Sequence, residues 1–142
     1  MRERALSVVV TRGEPTTEWT RQELDAIGGA DELTIRARRP NGTAASPVHI
    51  WVVRIGDDLY VRSYRGTGGA WYRRAISSGR AHVDAGGLSA EVRVTKPGAE
   101  VADAIDVAYR TKYARYGAAY LDPMTAAPAR AATLRLAPAD RS

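Results

Sequence analysis

Apolar and polar positions along the chain change period several times, and each change marks an element. Thr20-Arg-Gln-Glu23 fits a capping box, with Trp19 and Leu24 at the staple positions around it. A short helix is therefore predicted through Ala26 or Ile27, stopped by Gly28-Gly29. From Glu32 the period is two: Leu33, Ile35 and Ala37 alternate with Thr34, Arg36 and Arg38, as in a half-buried strand. Pro40-Asn-Gly-Thr43 reads as a turn. Val48 to Ile55 is apolar almost throughout and predicts a strand covered on both faces. Gly56-Asp57 then folds it into an antiparallel hairpin with Leu59 to Tyr64.

The loop Arg65-Gly-Thr-Gly-Gly69 feeds a short helix over Ala70 to Ile76. A second hairpin follows, Arg80 to Asp84 and Leu88 to Thr95 around Ala85-Gly-Gly87, with Leu88, Ala90, Val92 and Val94 on one face. Pro97-Gly98 opens the longest helix, from Glu100 to Tyr116. Its acids Glu100 and Asp103 sit early and its bases Arg110, Lys112 and Arg115 late, as the helix dipole favours. A loop around Pro123 and Pro128 leads to a last strand, Ala132 to Leu136. Six short strands with mostly hairpin-length connections predict a mainly β, α+β fold: a six-stranded antiparallel barrel with two to three flanking helices. One domain is expected over residues 18–138, after a mobile leader over 1–17 and before a polar tail at 139–142.

Composition bounds the chemistry. The 142 residues, 44% apolar and 26% charged, suffice for a core without staples, and the absence of Cys excludes disulfides, thiolate metal sites and Cys nucleophiles. No apolar run approaches the ~20 residues of a membrane span, and the first ten residues do not make a signal peptide, so a cytoplasmic location is expected. The net charge is +5, and nineteen of the twenty-one basic residues are Arg. They are spread along the chain rather than gathered into a stripe, which argues against nucleic acid as the partner. His49 and His82 fall inside predicted strands without triad or zinc spacing and read as structural hydrogen-bonders. Asp57-Asp58 reads as a solvated hairpin tip rather than a metal site. Gly66-Thr-Gly-Gly69 lacks the glycine spacing of a dinucleotide fingerprint.

The informative segment is Tyr60 to Arg74, which holds four Arg, three Tyr and one Trp around a glycine loop. Glycines let a ligand approach the backbone, Arg forks match phosphate oxygens, and Trp71 or Tyr72 can stack on a flat ring. The segment therefore suits a planar, phosphorylated small molecule. The alternative reading has Trp71 filling the core below a loop and the Arg residues solvated. Tyr109, Lys112 and Tyr116 share a helical face. They could close over a pocket or a partner surface, with Tyr–Lys proton transfer if burial lowers the Lys pKa; the plainer reading is packing with a snorkelling Lys.

Three stretches, Ile50 to Gly66, Ala70-Trp-Tyr72 and Ile105 to Tyr113, resemble a bacterial family of unknown function over about Trp19 to Leu136. That family is similar to the FMN- or deazaflavin-binding split-barrel proteins, including the deazaflavin-dependent nitroreductases. The resemblance implies a six-stranded split barrel, a homodimer, an FMN or deazaflavin cofactor near the subunit interface, and no metal. The nitroreductase branch carries a Gly-Arg-Lys-Ser-Gly-like turn between its first two strands. Here Arg39-Pro-Asn-Gly-Thr43 occupies that place without the Lys-Ser pair. The implied phosphate ligands are Arg39, Asn41 and Thr43 of this turn with Arg62, Ser63, Tyr64, Arg65 and Gly66, while Trp71 and Tyr72 would border the ring. The expected function is an FMN- or deazaflavin-dependent oxidoreductase. The rivals are a module of the same fold that has lost the cofactor and binds another small anion, and an Arg-rich interaction adaptor.

Overall fold

The computed structural model describes residues 18–139. It begins with helix α1 (Arg21–Gly28), whose capping box forms as the sequence predicts: Glu23 N–H donates to Thr20 Oγ1 at 3.1 Å, and Thr20 N–H to Glu23 Oε1 at 2.9 Å. The staple residues Trp19 and Leu24 are both buried. The strands are β1 (Leu33–Ala37), β2 (Val48–Ile50), β3 (Val52–Ile55), β4 (Asp58–Arg62), β5 (Arg80–Ala85), β6 (Leu88–Thr95) and β7 (Thr133–Pro138). Helix α2 (Ala70–Ser78) separates the two hairpins; α3 (Ala102–Lys112), α4 (Ala118–Thr125) and α5 (Ala127–Ala131) precede the last strand.

The sheet runs β2-β1-β5-β6-β7-β4-β3, antiparallel at every pairing. The outermost members are the two halves of one apolar run, divided only at Trp51. Val48 to Ile50 bonds to β1, whereas Val52 to Ile55 bonds to β4. One bent strand thus links the two ends of the sheet into a nearly closed barrel, and the six strands read from the sequence become seven.

Strand alternation fills the interior with Leu33, Ile35, Val52, Leu59, Val61, Val83, Val92, Leu134 and Leu136, and helices α1 and α2 add Leu24, Ile27, Tyr72 and Ala75 to this core. The tip of the β5–β6 hairpin presses on α1: Gly86 has φ +58°, and a Cβ there would lie 2.1 Å from the Ala26 carbonyl oxygen. A second apolar cluster lies on the outer face of β3 and β4, where Val53 and Tyr60 meet Ile105, Tyr109, Tyr113, Leu121 and Met124 of the C-terminal helices.

Three expectations are corrected. The predicted long helix is helical over Ala102–Lys112 and ends in short 3-10 turns at Ala99–Val101 and Ala114–Tyr116. The stretch around Pro123 and Pro128 is two short helices rather than a loop. Its Ala-rich sequence favours helix, and Pro128 sits in the first turn of α5, where the missing N–H costs nothing. Five helices therefore flank the barrel instead of two or three. Ala139, placed in the tail, is buried and donates to the Glu91 carbonyl at 2.9 Å. The expected leader and the rest of the tail lie outside the described residues. No helix among the described residues is long and apolar enough to cross a membrane.

Candidate functional site

The turn that joins β1 to the bent strand is held by its own side chains. Asn41 Oδ1 accepts from Thr43 N–H at 3.0 Å and from Thr43 Oγ1 at 2.7 Å, while Arg39 Nη1 donates to Ala44 O at 2.9 Å. Gly42 supplies the left-handed residue, φ +87°, that closes the turn. Asn41 Oδ1 and the N–H and hydroxyl of Thr43 are therefore used inside the turn, and Arg39 spends its Nη1 there.

Opposite this turn stands the exposed face of α2. Between them lies an open cleft of about 380 Å³, lined by Arg38, Arg39, Pro40, Ala70, Arg73, Arg74 and Ser77. Four arginines line one space. Among the described residues Arg73 and Arg74 have no hydrogen-bond or ion-pair partner for their side chains. Arg38 is tied down by Glu91, through Nε–Oε1 at 3.1 Å and Nη2–Oε2 at 2.6 Å. Glu91 also bonds His82 Nδ1 at 2.6 Å; Arg38 first, then His82, holds its carboxyl below the usual carboxylate range. Like cations held around a shared space repel one another, so this arrangement favours an anion between them.

Arg62 has a different fate. Its strand face is the outer one, but the C-terminal helices cover it, and the side chain is fully buried. Arg62 Nε donates to Thr133 Oγ1 at 2.9 Å, Nη1 to Asp106 and to Met124 O at 2.9 Å, and Nη2 to Ala102 O at 3.1 Å. Asp106 is bridged in turn by Arg130. The ring of Tyr109 lies 5.6 Å from the Arg62 guanidinium carbon. Arg62 is thus committed inside the protein and is corrected from phosphate ligand to internal tether between barrel and helices.

The glycine loop is likewise shaped by packing. Gly66 (φ +74°) lies against Pro128, and a Cβ on Gly69 would stand 2.6 Å from Ser63 Oγ. Ser63 itself is buried, and its hydroxyl has no hydrogen-bond partner among the described residues. Tyr64, implied as a phosphate ligand, lies beyond the end of β4 and is exposed, as is Arg65. Tyr72 is buried in the barrel core and Trp71 packs partly against it, so neither is free to stack along its whole face. Of the residues inferred to hold a cofactor, the structure brings Arg39 to the cleft. The sequence reading missed Arg38 and Ser77, and kept Arg73 and Arg74 in its charged segment without naming them as ligands. Arg73 and Arg74 were legible as the two cations one turn inside a short helix after a glycine loop.

The Tyr109–Lys112–Tyr116 face resolves into packing at the strand bend. Lys112 Nζ donates to Gly28 O at 2.8 Å and Val52 O at 2.7 Å, which closes the C-terminus of α1 and the bend at once. Burial, opposed by Asp31, pushes its pKa down to about 8. The Tyr113 hydroxyl accepts from Val52 N–H at 3.1 Å and donates to Asp31 O at 2.8 Å, and burial pushes its pKa up to about 12. Trp51 stacks on the Tyr113 ring, 4.0 Å between centroids and 2° from parallel. Tyr109 is buried, its hydroxyl has no hydrogen-bond partner among the described residues, and burial raises its pKa. Tyr116 is exposed, in the turn after α3. Asp58 at the first hairpin is held by Arg135 at 2.9 Å.

A small antiparallel split barrel with a cationic cleft between its first turn and its second helix is the class these features define. The chain belongs to a bacterial protein family described as uncharacterised and conserved in bacteria (DUF2255), which it matches over residues 23–136. No curated protein matches it in sequence. Among solved structures it is similar to an "F420 Reductase" (14% identity, 94% of this chain and 97% of that one, TM-score 0.50). It is also similar to a conserved hypothetical protein from Mycobacterium tuberculosis (13% identity, 94% and 87%, TM-score 0.57). A third is a FAD-binding protein from Mesorhizobium loti (12% identity, 87% and 91%, TM-score 0.51). At these identities the likeness is one of fold.

Proposed function

We propose that this protein binds a flavin-type cofactor, FMN or a deazaflavin, with the anionic part of the cofactor in the cleft of Arg38, Arg39, Arg73 and Arg74. One observation carries the reading: four arginines, of which Arg38 is paired with Glu91, line an open cleft on a barrel whose structural neighbours include a reductase and a FAD-binding protein. The donor set fits an anion, since guanidinium forks bond phosphate oxygens two at a time. Arg73 and Arg74 would bind from α2 while Arg39 binds from the turn. Ser77 adds a hydroxyl from the same helix face. When bound, the cofactor supplies hydride or electron transfer, and the protein contributes position and electrostatics. The protein acts in this reading as an oxidoreductase and, as the family resemblance implies, as a homodimer; the location we propose is cytoplasmic.

A second reading has one observation in its favour. Trp71 and Tyr72, the residues expected to border a ring, are engaged with the barrel core, which suits a module that binds a small anion without a flat ring system. Thermal-shift titration separates the two. The cofactor reading expects FMN or a deazaflavin to raise the melting temperature well beyond what inorganic phosphate does. Equal stabilisation by phosphate alone selects the anion module, and no stabilisation by any of them rejects both.

A further inference from the structure

Arg38 lines the cleft, yet its guanidinium is already occupied within the protein. Nε and Nη2 donate to the two Glu91 oxygens at 3.1 and 2.6 Å, and Nη1 donates to Gly42 O at 3.2 Å. Arg38 therefore acts on an anion in the cleft through its field, and the Glu91 charge cancels much of that field. Glu91 serves a second group as well. Its Oε2 lies 2.6 Å from Arg38 Nη2 and 2.6 Å from His82 Nδ1, so guanidinium and imidazole meet on one oxygen. The register explains the meeting: His82 of β5 stands directly opposite Glu91 of β6, on the outer sheet face that Arg38 shares.

Histidine is the side chain that ordinarily gains its charge between about pH 8 and pH 5. The Glu91 carboxyl, held below the usual carboxylate range by Arg38 and then by His82, stays ionised through that window. Against an ionised carboxylate Nδ1 is the donor, so an added proton goes to Nε2, which faces Asp84 Oδ2 at 3.6 Å. Charged groups of both signs surround the ring. Glu91 and Asp84 favour the proton; Arg36 of β1, Arg38 just beyond that strand, Arg80 of β5 and the partnered Arg93 of β6 oppose it. We infer that His82 sets the anion affinity of the cleft through Glu91. Protonation of the imidazole offsets the Glu91 charge, so the Arg38 side of the cleft becomes more cationic and holds an anion more tightly. By reciprocity, an anion entering the cleft draws a proton onto His82. The inference rests on the reading of the cleft as an anion site and adds its regulation by pH.

Titration of the full-length protein with inorganic sulfate at fixed ionic strength, followed by NMR, tests this. Sulfate keeps its double charge across the range, so any pH dependence belongs to the protein. The wild type should bind at least about threefold more tightly at about pH 5.5 than at about pH 8. His82→Gln keeps a neutral donor for Glu91 and should bind at both pH values as the wild type does at about pH 8. His82→Lys carries its charge throughout and should bind at both as the wild type does at about pH 5.5. The other histidine, His49, is bonded to Thr34, and His49→Gln should keep the full pH effect. Equal wild-type affinity at the two pH values, or a pH effect that survives His82→Gln, overturns the inference and leaves the cleft standing. Failure of the cleft reading looks different: sulfate binding that is absent from the wild type, or unchanged in Arg73→Ala/Arg74→Ala, removes the anion site and the inference with it.

Discussion

Arg62 and Arg73 belong to the same charged segment, yet they end in opposite surroundings. Arg62 lies beneath α3, α4 and α5, with a carboxylate, a hydroxyl and two carbonyls arranged around it. Arg73 lies on the open face of α2 beside three further arginines, and no described side chain answers it. The lesson is that the partner set, not the residue type, separates an arginine that builds the fold from one available to a ligand. A buried guanidinium must be satisfied from within. An exposed group of guanidinium side chains retains its capacity for an external anion.

The comparison breaks most visibly at Arg62. Arg62→Ala leaves Asp106 short of its buried partner and strips hydrogen bonds from Thr133 and two carbonyls. Urea unfolding should show a loss of about 3–5 kcal/mol. At a temperature where the variant is still folded, its affinity for phosphate should match the wild type; a lost affinity there would return Arg62 to the ligand set. Next comes Tyr113→Phe, which removes the hydroxyl that serves Val52 and Asp31 at the strand bend. It should cost about 1–3 kcal/mol by the same measurement, again without effect on anion binding.

Lys112 sharpens the picture through pH. In the unfolded chain it titrates near 10.5 and in the folded protein at about 8. Between those values the unfolded chain holds the extra proton, so stability rises with pH. The advantage of wild type over Lys112→Met should therefore grow from pH 8 to 10.5. The growth should be on the order of 1 kcal/mol, because the half-exposed side chain is screened by solvent. A flat difference would mean that the ammonium is not penalised at the bend. The smallest stability effect belongs to the cleft: Arg73→Ala/Arg74→Ala should change unfolding free energy by no more than about 0.5 kcal/mol, as for surface positions without partners.

Much of the fold was legible because hydrophobic period and capping chemistry are local. The alternation from Leu33 to Ala37, both hairpins and the capping box at Thr20 could be read from neighbouring residues alone. The division of the Val48–Ile55 run at Trp51 could not, since it follows from barrel closure and from two side chains of a distant helix, Lys112 and Tyr113. The same limit governed the site. Arg62 alternates with core residues on its strand, as a surface arginine does; only the helices laid over that face make it internal. Its carboxylate partner, Asp106, lies 44 positions along the chain, beyond the reach of any local pattern. The cleft is assembled from Arg38–Pro40 and α2, which sequence separates by thirty residues, so the one shared signal was the recurrence of arginine itself.

The central claim is that the arginine cleft holds the anionic part of a flavin-type cofactor. Titration of the wild-type protein and of Arg73→Ala/Arg74→Ala with FMN and a deazaflavin, followed by ligand fluorescence, tests it most directly. Saturable binding of at least one of them by the wild type is expected. In the double variant it should be weakened by at least about tenfold, at an unchanged melting temperature. Binding of equal strength in the two proteins, or no binding by the wild type, would contradict the claim.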